Sequence, residues 1–147
     1  MRIILSLVVF SVILVIFSCN KNKFETTPRL EFKSYDKIVD SPGILKFTIK
    51  FFDKEGDLGD APFIAIRQRL NKFPPPPPIL ADTFRYPQLP SFPDKDQGEI
   101  IFQLDYTRLD ESVAQNDTCR FRFAVTDKAG NKSDTITSDI IVARKPH

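Results

Sequence analysis

The chain of 147 residues carries 21 Lys+Arg against 19 Asp+Glu, a balance that offers nucleic acid or any acidic polymer no electrostatic hold. Two cysteines are too few for a disulfide framework. No Gly-x-Ser-x-Gly, His-Glu-x-x-His, phosphate-binding loop or paired cysteine ligands appear, so no familiar catalytic constellation is present and a non-enzymatic protein is expected.

The chain opens with a charged start (Met1-Arg2), an apolar run from Ile3 to Phe17, the small Ser18, and Cys19. The run is shorter than the roughly 20 apolar residues of a membrane span, and no Ala-x-Ala site follows it. Ile16-Phe17-Ser18-Cys19 resembles the lipobox of bacterial lipoproteins, although Phe17 is bulkier than the residue usual there. The resemblance implies a signal peptide over 1–18, cleavage before Cys19, and a diacylglyceryl thioether with palmitate-type chains on its sulfur. Two or three chains contribute roughly 0.8 kcal/mol per buried CH2 and make a stable anchor. Residues 19–28 are polar and read as a tether. The overall look resembles lipoproteins of Bacteroidetes-type bacteria, in which an acidic cluster after the cysteine marks the outer face. Here Lys21 and Lys23 precede the first acid, Glu25, which points to an outer-membrane protein facing the periplasm.

Past the tether the apolar pattern has period two. Leu30 and Phe32 alternate with Glu31 and Lys33, and Leu45, Phe47, Ile49 and Phe51 with Lys46, Thr48 and Lys50. Phe63 to Leu70 forms a third segment. Ile100, Phe102, Leu104 and Tyr106 form a fourth, and Cys119, Phe121, Phe123 and Val125 a fifth. A last strand is predicted from about Thr135 to Val142. Ser41-Pro42-Gly43, Lys54-Glu55-Gly56 and Lys128-Ala129-Gly130-Asn131 supply turns, and one helical turn is predicted around Arg108 to Ala114. Fourteen phenylalanines and no tryptophan predict a phenylalanine-rich core.

Six or seven antiparallel strands predict an all-β, two-sheet sandwich over 29–143, followed by a tail at 144–147, with an up-and-down barrel as the alternative. The segment Val125 to Ser133, with its Asp-Lys-Ala-Gly-Asn turn, resembles the hairpin before the last strand of bacterial immunoglobulin-like and fibronectin-III-like domains. Phe52 to Gly59 resembles the Asp/Gly-rich loop of small Bacteroidetes-type lipoproteins with that fold. Residues 73–93 interrupt the pattern. Pro74 to Pro78 is an unbroken proline run, and Pro87, Pro90 and Pro93 follow, so this segment is predicted to be an inserted loop with polyproline II character.

Four features could carry function. Asp53, Glu55, Asp57 and Asp60 cluster around Gly56 and Gly59; their spacing departs from an EF-hand, so the residues read as turn chemistry, with a calcium site as the alternative. Asp127 joins them only if the two loops lie at the same end of the sheets. Pro76, Phe84, Arg85 and Tyr86 offer an apolar, low-entropy surface for a partner, against a loop that merely covers a sheet edge of its own domain. Cys119 is in phase with Phe121 and Phe123, and the sole histidine is His147, so the thiol reads as buried and inert. Arg67, Arg69, Arg120 and Arg122 read as a solvated strand face paired with Asp105 or Glu99, since the phenylalanines between them face inward and leave no stacking surface for nucleic acid. The expected function is binding or scaffolding in the bacterial envelope, the membrane being reached through the lipid and the partner an envelope protein or glycan. The alternative is a small-molecule- or glycan-binding accessory lipoprotein of nutrient uptake. No cofactor is expected beyond the calcium alternative.

Overall fold

The computed structural model describes residues 26–71, 81–86 and 88–146, with 81–86 described through the backbone alone. Cys19, the tether before Thr26, the proline run with Pro76, Pro87 and His147 lie outside the described residues.

Among the described residues nine strands follow one another: β1 (Arg29–Tyr35), β2 (Ile38–Asp40), β3 (Ile44–Phe52), β4 (Phe63–Arg69), β5 (Ala81–Tyr86), β6 (Gln97–Asp105), β7 (Asp117–Val125), β8 (Ile136–Thr137) and β9 (Ile141–Arg144). They form two sheets. One has the order β1-β3-β6; the other runs β2-β9-β7-β4-β5, with β8 beside β7. The protein is all-β, as the period-two pattern predicts. The helical turn among the described residues is a 3-10 turn at Tyr106–Arg108, slightly ahead of the predicted position.

Alternation drives the architecture. Leu45, Phe47, Ile49 and Phe51 of β3, Ile100, Phe102 and Leu104 of β6, and Cys119, Phe121, Phe123 and Val125 of β7 are all buried. Because every second side chain points inward, each strand gives one face to a shared core and one to water. Phenylalanine rings from both sheets meet there: Phe47 lies 4.8 Å from Phe123 and 5.3 Å from Phe121, and Phe63 stacks on Phe123 at 5.9 Å. Burying each such ring contributes about 1.5–3 kcal/mol relative to leaving it exposed.

Three features depart from expectation. The pairing is not wholly antiparallel, since the short β2 runs parallel to β9. The last strand is broken into β8 and β9. At and just before the breaks two buried serines stand in for missing ladder acceptors: Ser138 Oγ accepts from Phe121 N at 3.0 Å and Ser133 Oγ from Val125 N at 3.0 Å. The third departure falls in 73–93, predicted to be one loop. Ala81–Tyr86 is an edge strand, registered antiparallel to β4 with Tyr86 opposite Phe63 and Ala81 opposite Gln68. Proline bars a segment from the middle of a sheet, but the eight residues between Pro78 and Pro87 are free of it, and the six of the strand are compatible with an edge.

The register gives the body two distinct ends. Arg29, Phe52 and Gln97 align across one sheet, and Phe63, Val125 and Tyr86 across the other. Asn131 Nδ2 donates to Thr26 O at 3.3 Å, so the β7–β8 turn sits at the end where the described chain begins. At the opposite end Gln68 pairs with Ala81, Arg69 with Cys119 and Asp117 with Ala143, and the Tyr106 hydroxyl donates to Arg144 O at 2.9 Å.

Candidate functional site

The Thr26 end is built by the loop after β3 and the turn after β7. In the first, Asp53 leaves β3 and Gly56 N closes a turn on Asp53 O at 3.1 Å. Gly56 has φ +74°, and a Cβ there would lie 3.0 Å from Lys95 N, so only glycine fits. Lys95 N in turn donates to Gly56 O at 3.2 Å, and Asp53 N to Asp96 O at 2.8 Å, tying this loop to the segment before β6. Asp60 takes φ +64°, a conformation aspartate tolerates better than most residues. In the second, Asp127 N donates to Asn131 O at 3.0 Å, Asn131 N to Asp127 Oδ1 at 2.7 Å, and Asn131 Nδ2 to Asp127 Oδ2 at 2.8 Å.

These turns bring Asp53, Asp57 and Asp127 together, with one carboxylate oxygen of each within 4.8 Å of the others. Of the four acids predicted to cluster, only Asp53 and Asp57 converge; Glu55 is exposed, Asp60 is half-buried, and neither belongs to the group. Asp127 completes it, because the two loops do lie at the same end. Asp53 is 2% exposed and Asp127 3%. Asp53 Oδ2 accepts from Asp57 N at 2.9 Å, whereas Asp53 Oδ1 and Asp57 Oδ1 are buried and have no hydrogen-bond partner among the described residues. Burial pushes the Asp53 carboxyl up, the Asp57 charge adds to this, and the Asp57 and Glu55 amides oppose it. Carboxylates within 4.8 Å of one another repel by roughly 3 kcal/mol or more at an effective dielectric of about 20, a repulsion that a shared proton or a cation would relieve.

The opposite end holds a different cluster. Arg67 and Arg69 both donate to Glu111 Oε1, and Arg67 also to Arg108 O. Arg67 and Arg69 follow Phe63 and Ala65 in phase and are registered against Phe121 and Cys119, whereas Arg120 and Arg122 stand opposite Gln68 and Ile66 on the outer face. The predicted single arginine stripe is therefore divided between the two faces of the sheet. Glu99, offered as a partner for it, binds Lys33 instead at 2.5 Å. Asp117 Oδ2 accepts the Glu111 and Ser112 amides at 2.9 Å each, fixing the loop that carries Glu111.

Cys119 is buried, as its phase predicts, and its thiol is pushed up to about 12, chiefly by burial, with the charges of Asp117 and Glu111 adding and those of Arg67 and Arg69 subtracting. Thiolate is the reactive form, so in a Cys19→Ala chain, where Cys119 is the lone cysteine, Ellman's reagent at pH 8 should leave the folded protein unlabelled and modify the urea-unfolded chain stoichiometrically. Rapid labelling of the folded chain would contradict this burial. Because the folded thiol holds its proton longer than an unfolded one, its contribution to stability is complete below pH 9 and declines as pH rises towards 12.

Of the predicted partner surface, Pro76 lies outside the described residues, and Phe84, Arg85 and Tyr86 lie on β5 opposite Ala65, Ile64 and Phe63. Sequence reasoning missed an open groove of about 390 Å3 lined by Phe63, Leu89, Phe92, Ile100 and Phe102, with Gln88 and Glu99 as polar lining. Phe63 and Phe102 are each 2% exposed and already belong to the core, and Phe92 stacks on Phe51 at 5.7 Å, so these rings are engaged with the body itself.

No family model matches the chain, and no curated protein matches it. Among solved structures it is similar to a β-glucosidase from Listeria innocua in complex with glucose, at 11% identity and a TM-score of 0.43 over 84% of this chain. The same enzyme in complex with gluconolactone gives 10% identity and a TM-score of 0.41. The chain spans 17% of the length of that β-glucosidase.

Proposed function

We propose that this chain is a lipid-anchored protein of the bacterial envelope, an immunoglobulin-like β-sandwich that binds or scaffolds a partner without catalysing a reaction. Cys19 carries the lipid, and the outer membrane, with the body facing the periplasm, is the address that Lys21 and Lys23 favour. The immunoglobulin-like assignment is supported by strands that alternate between the two sheets, β3 crossing to β4 and β6 to β7, in the manner of a Greek-key sandwich.

The observation that carries the functional reading is the polarity of the body. The chain enters at Thr26, beside the Asp127 turn, and from Cys19 to Thr26 it spans at most about 25 Å. That end therefore stays close to the bilayer. The chain departs towards the proline run after Arg69 and re-enters at Ala81, both at the opposite end. A proline-rich segment flanked in this way is offered to an envelope protein or glycan on the side away from the membrane, with Pro76 in its middle and Phe84, Arg85 and Tyr86 on the adjoining edge strand. The groove beside β6 supports the alternative of small-molecule or glycan capture less well, because its aromatic rings are engaged in packing.

The test pairs two variants in one envelope preparation. Cys19→Ala should abolish palmitate labelling and move the protein to the soluble fraction. Deletion of 74–78 should keep the anchor and the urea midpoint but lose the partners recovered by cross-linking. Continued labelling of the first variant would end the anchor proposal, and unchanged partners of the second would move the contact surface elsewhere.

A further inference from the structure

We propose that Asp53, Asp57 and Asp127 bind a calcium ion that fastens the β3–β4 loop to the β7–β8 turn at the Thr26 end of the body. Two observations carry this independently. The first is convergence: three carboxylate oxygens from two loops far apart in the chain lie within 4.8 Å of one another. Calcium takes oxygen ligands at about 2.3–2.6 Å, so two oxygens on one ion can be about 5 Å apart, and all three fit a single ion. Magnesium, at about 2.0–2.1 Å, holds its oxygens closer together. The second is the orphaned Asp53 Oδ1. It sits on a side chain 2% exposed, takes no hydrogen bond from the described residues, and belongs to the carboxylate that faces Asp57. A buried acceptor of this kind is normally satisfied, and beside it the buried Asp57 Oδ1 is in the same condition. Asp53 Oδ2 accepts the Asp57 amide and both Asp127 oxygens accept from Asn131, each keeping a second lone pair, so the two orphans and one Asp127 oxygen supply the three ligands.

The site does not depend on the anchor or on the partner surface, because it ties together loops of the body itself. With calcium bound, the segment to which the tether connects is stiffened through Asn131, which donates both to Asp127 Oδ2 and to Thr26 O.

The experiment uses the full chain purified in detergent, stripped with EDTA and titrated with calcium chloride, read by calorimetry and thermal unfolding. Binding of one ion should raise Tm by about 5 °C or more at a hundredfold excess over Kd. Asp53→Asn keeps the shape and removes a repelling charge. It should unfold no earlier than the parent in EDTA and should lose the calcium shift. Glu55→Gln and Asp60→Asn, in the same loop but outside the cluster, should retain it. No heat and no shift at 10 mM calcium would overturn the proposal and leave a carboxylate pair sharing a proton. Equal loss of the shift in Glu55→Gln would overturn it in favour of diffuse charge screening. An equal shift with magnesium would overturn the assignment to calcium.

Discussion

Phe47→Ala should destabilise the fold by about 3–5 kcal/mol, a large share of the 5–15 kcal/mol that holds a typical domain. Phe47 is fully buried at the middle of β3, and its ring touches both sheets. Within its own sheet it lies 5.2 Å from Tyr35 and 6.0 Å from both Phe32 and Phe102; across the core it meets Phe123 at 4.8 Å and Phe121 at 5.3 Å. Truncation leaves a void walled by rings that are themselves pinned on paired strands, so the surroundings collapse poorly and the cavity cost adds to the lost transfer energy. Urea unfolding should show a lower midpoint at unchanged slope. Ile44→Ala, at the start of the same strand but 52% exposed, should stay within about 0.5 kcal/mol of the parent. A loss under about 1 kcal/mol at Phe47 would mean the two sheets do not share this core.

The period-two pattern was enough to place β1, β3, β6 and β7 and to assign Phe47, Phe102, Phe121 and Phe123 to the interior, because strict alternation admits only one buried face per strand. β2 was invisible for a physical reason: it has three residues, and Ile38 and Asp40 on either side of Val39 are exposed, so no period can be read. β5 was hidden by its neighbours, since the prolines around it suggested a loop and nothing local announces an edge pairing. Arg67 shows a different failure. Its phase, two residues after Ala65 and four after Phe63, belongs to the inner face, although arginine is rarely buried without a partner. That partner is Glu111, whose approach depends on the loop after β6 and cannot be read locally. The acidic site behaves similarly. The turn chemistry of Asp53 and Asp127 was legible, including the condition under which they would meet, but the meeting itself is a consequence of the strand order.

Glu111→Ala should cost about 2–3 kcal/mol, because it removes a charged acceptor shared by two guanidinium groups where water reaches poorly. Arg67 is 4% exposed, and its guanidinium and that of Arg69 share one oxygen of Glu111, so a single substitution removes an acceptor that both use. The exposed pair Arg144–Asp40, at 2.6 and 2.8 Å, has good two-point geometry, yet solvent screening leaves it a small contribution. Asp40→Ala therefore serves as the comparison, and its small effect should shrink further in high salt while that of Glu111→Ala persists. Replacing the whole cluster, with Arg67→Met, Arg69→Met and Glu111→Leu together, should recover much of the loss, since apolar packing commonly substitutes for a buried ion pair. Equal, sub-kilocalorie losses for Glu111→Ala and Asp40→Ala would show that the cluster is effectively solvated. The cluster also bears on recognition. Leu70 N bonds to Thr118 O at 2.8 Å and Asn71 Oδ1 accepts from Thr118 N at 2.7 Å, so the point where the chain departs towards the proline run is clamped to the same strand end that Asp117 and Glu111 organise. Loosening Glu111 should therefore weaken any partner captured through that run more than the loss of global stability alone accounts for, whereas Phe47→Ala, at equal destabilisation, should leave the clamp of the remaining folded molecules intact.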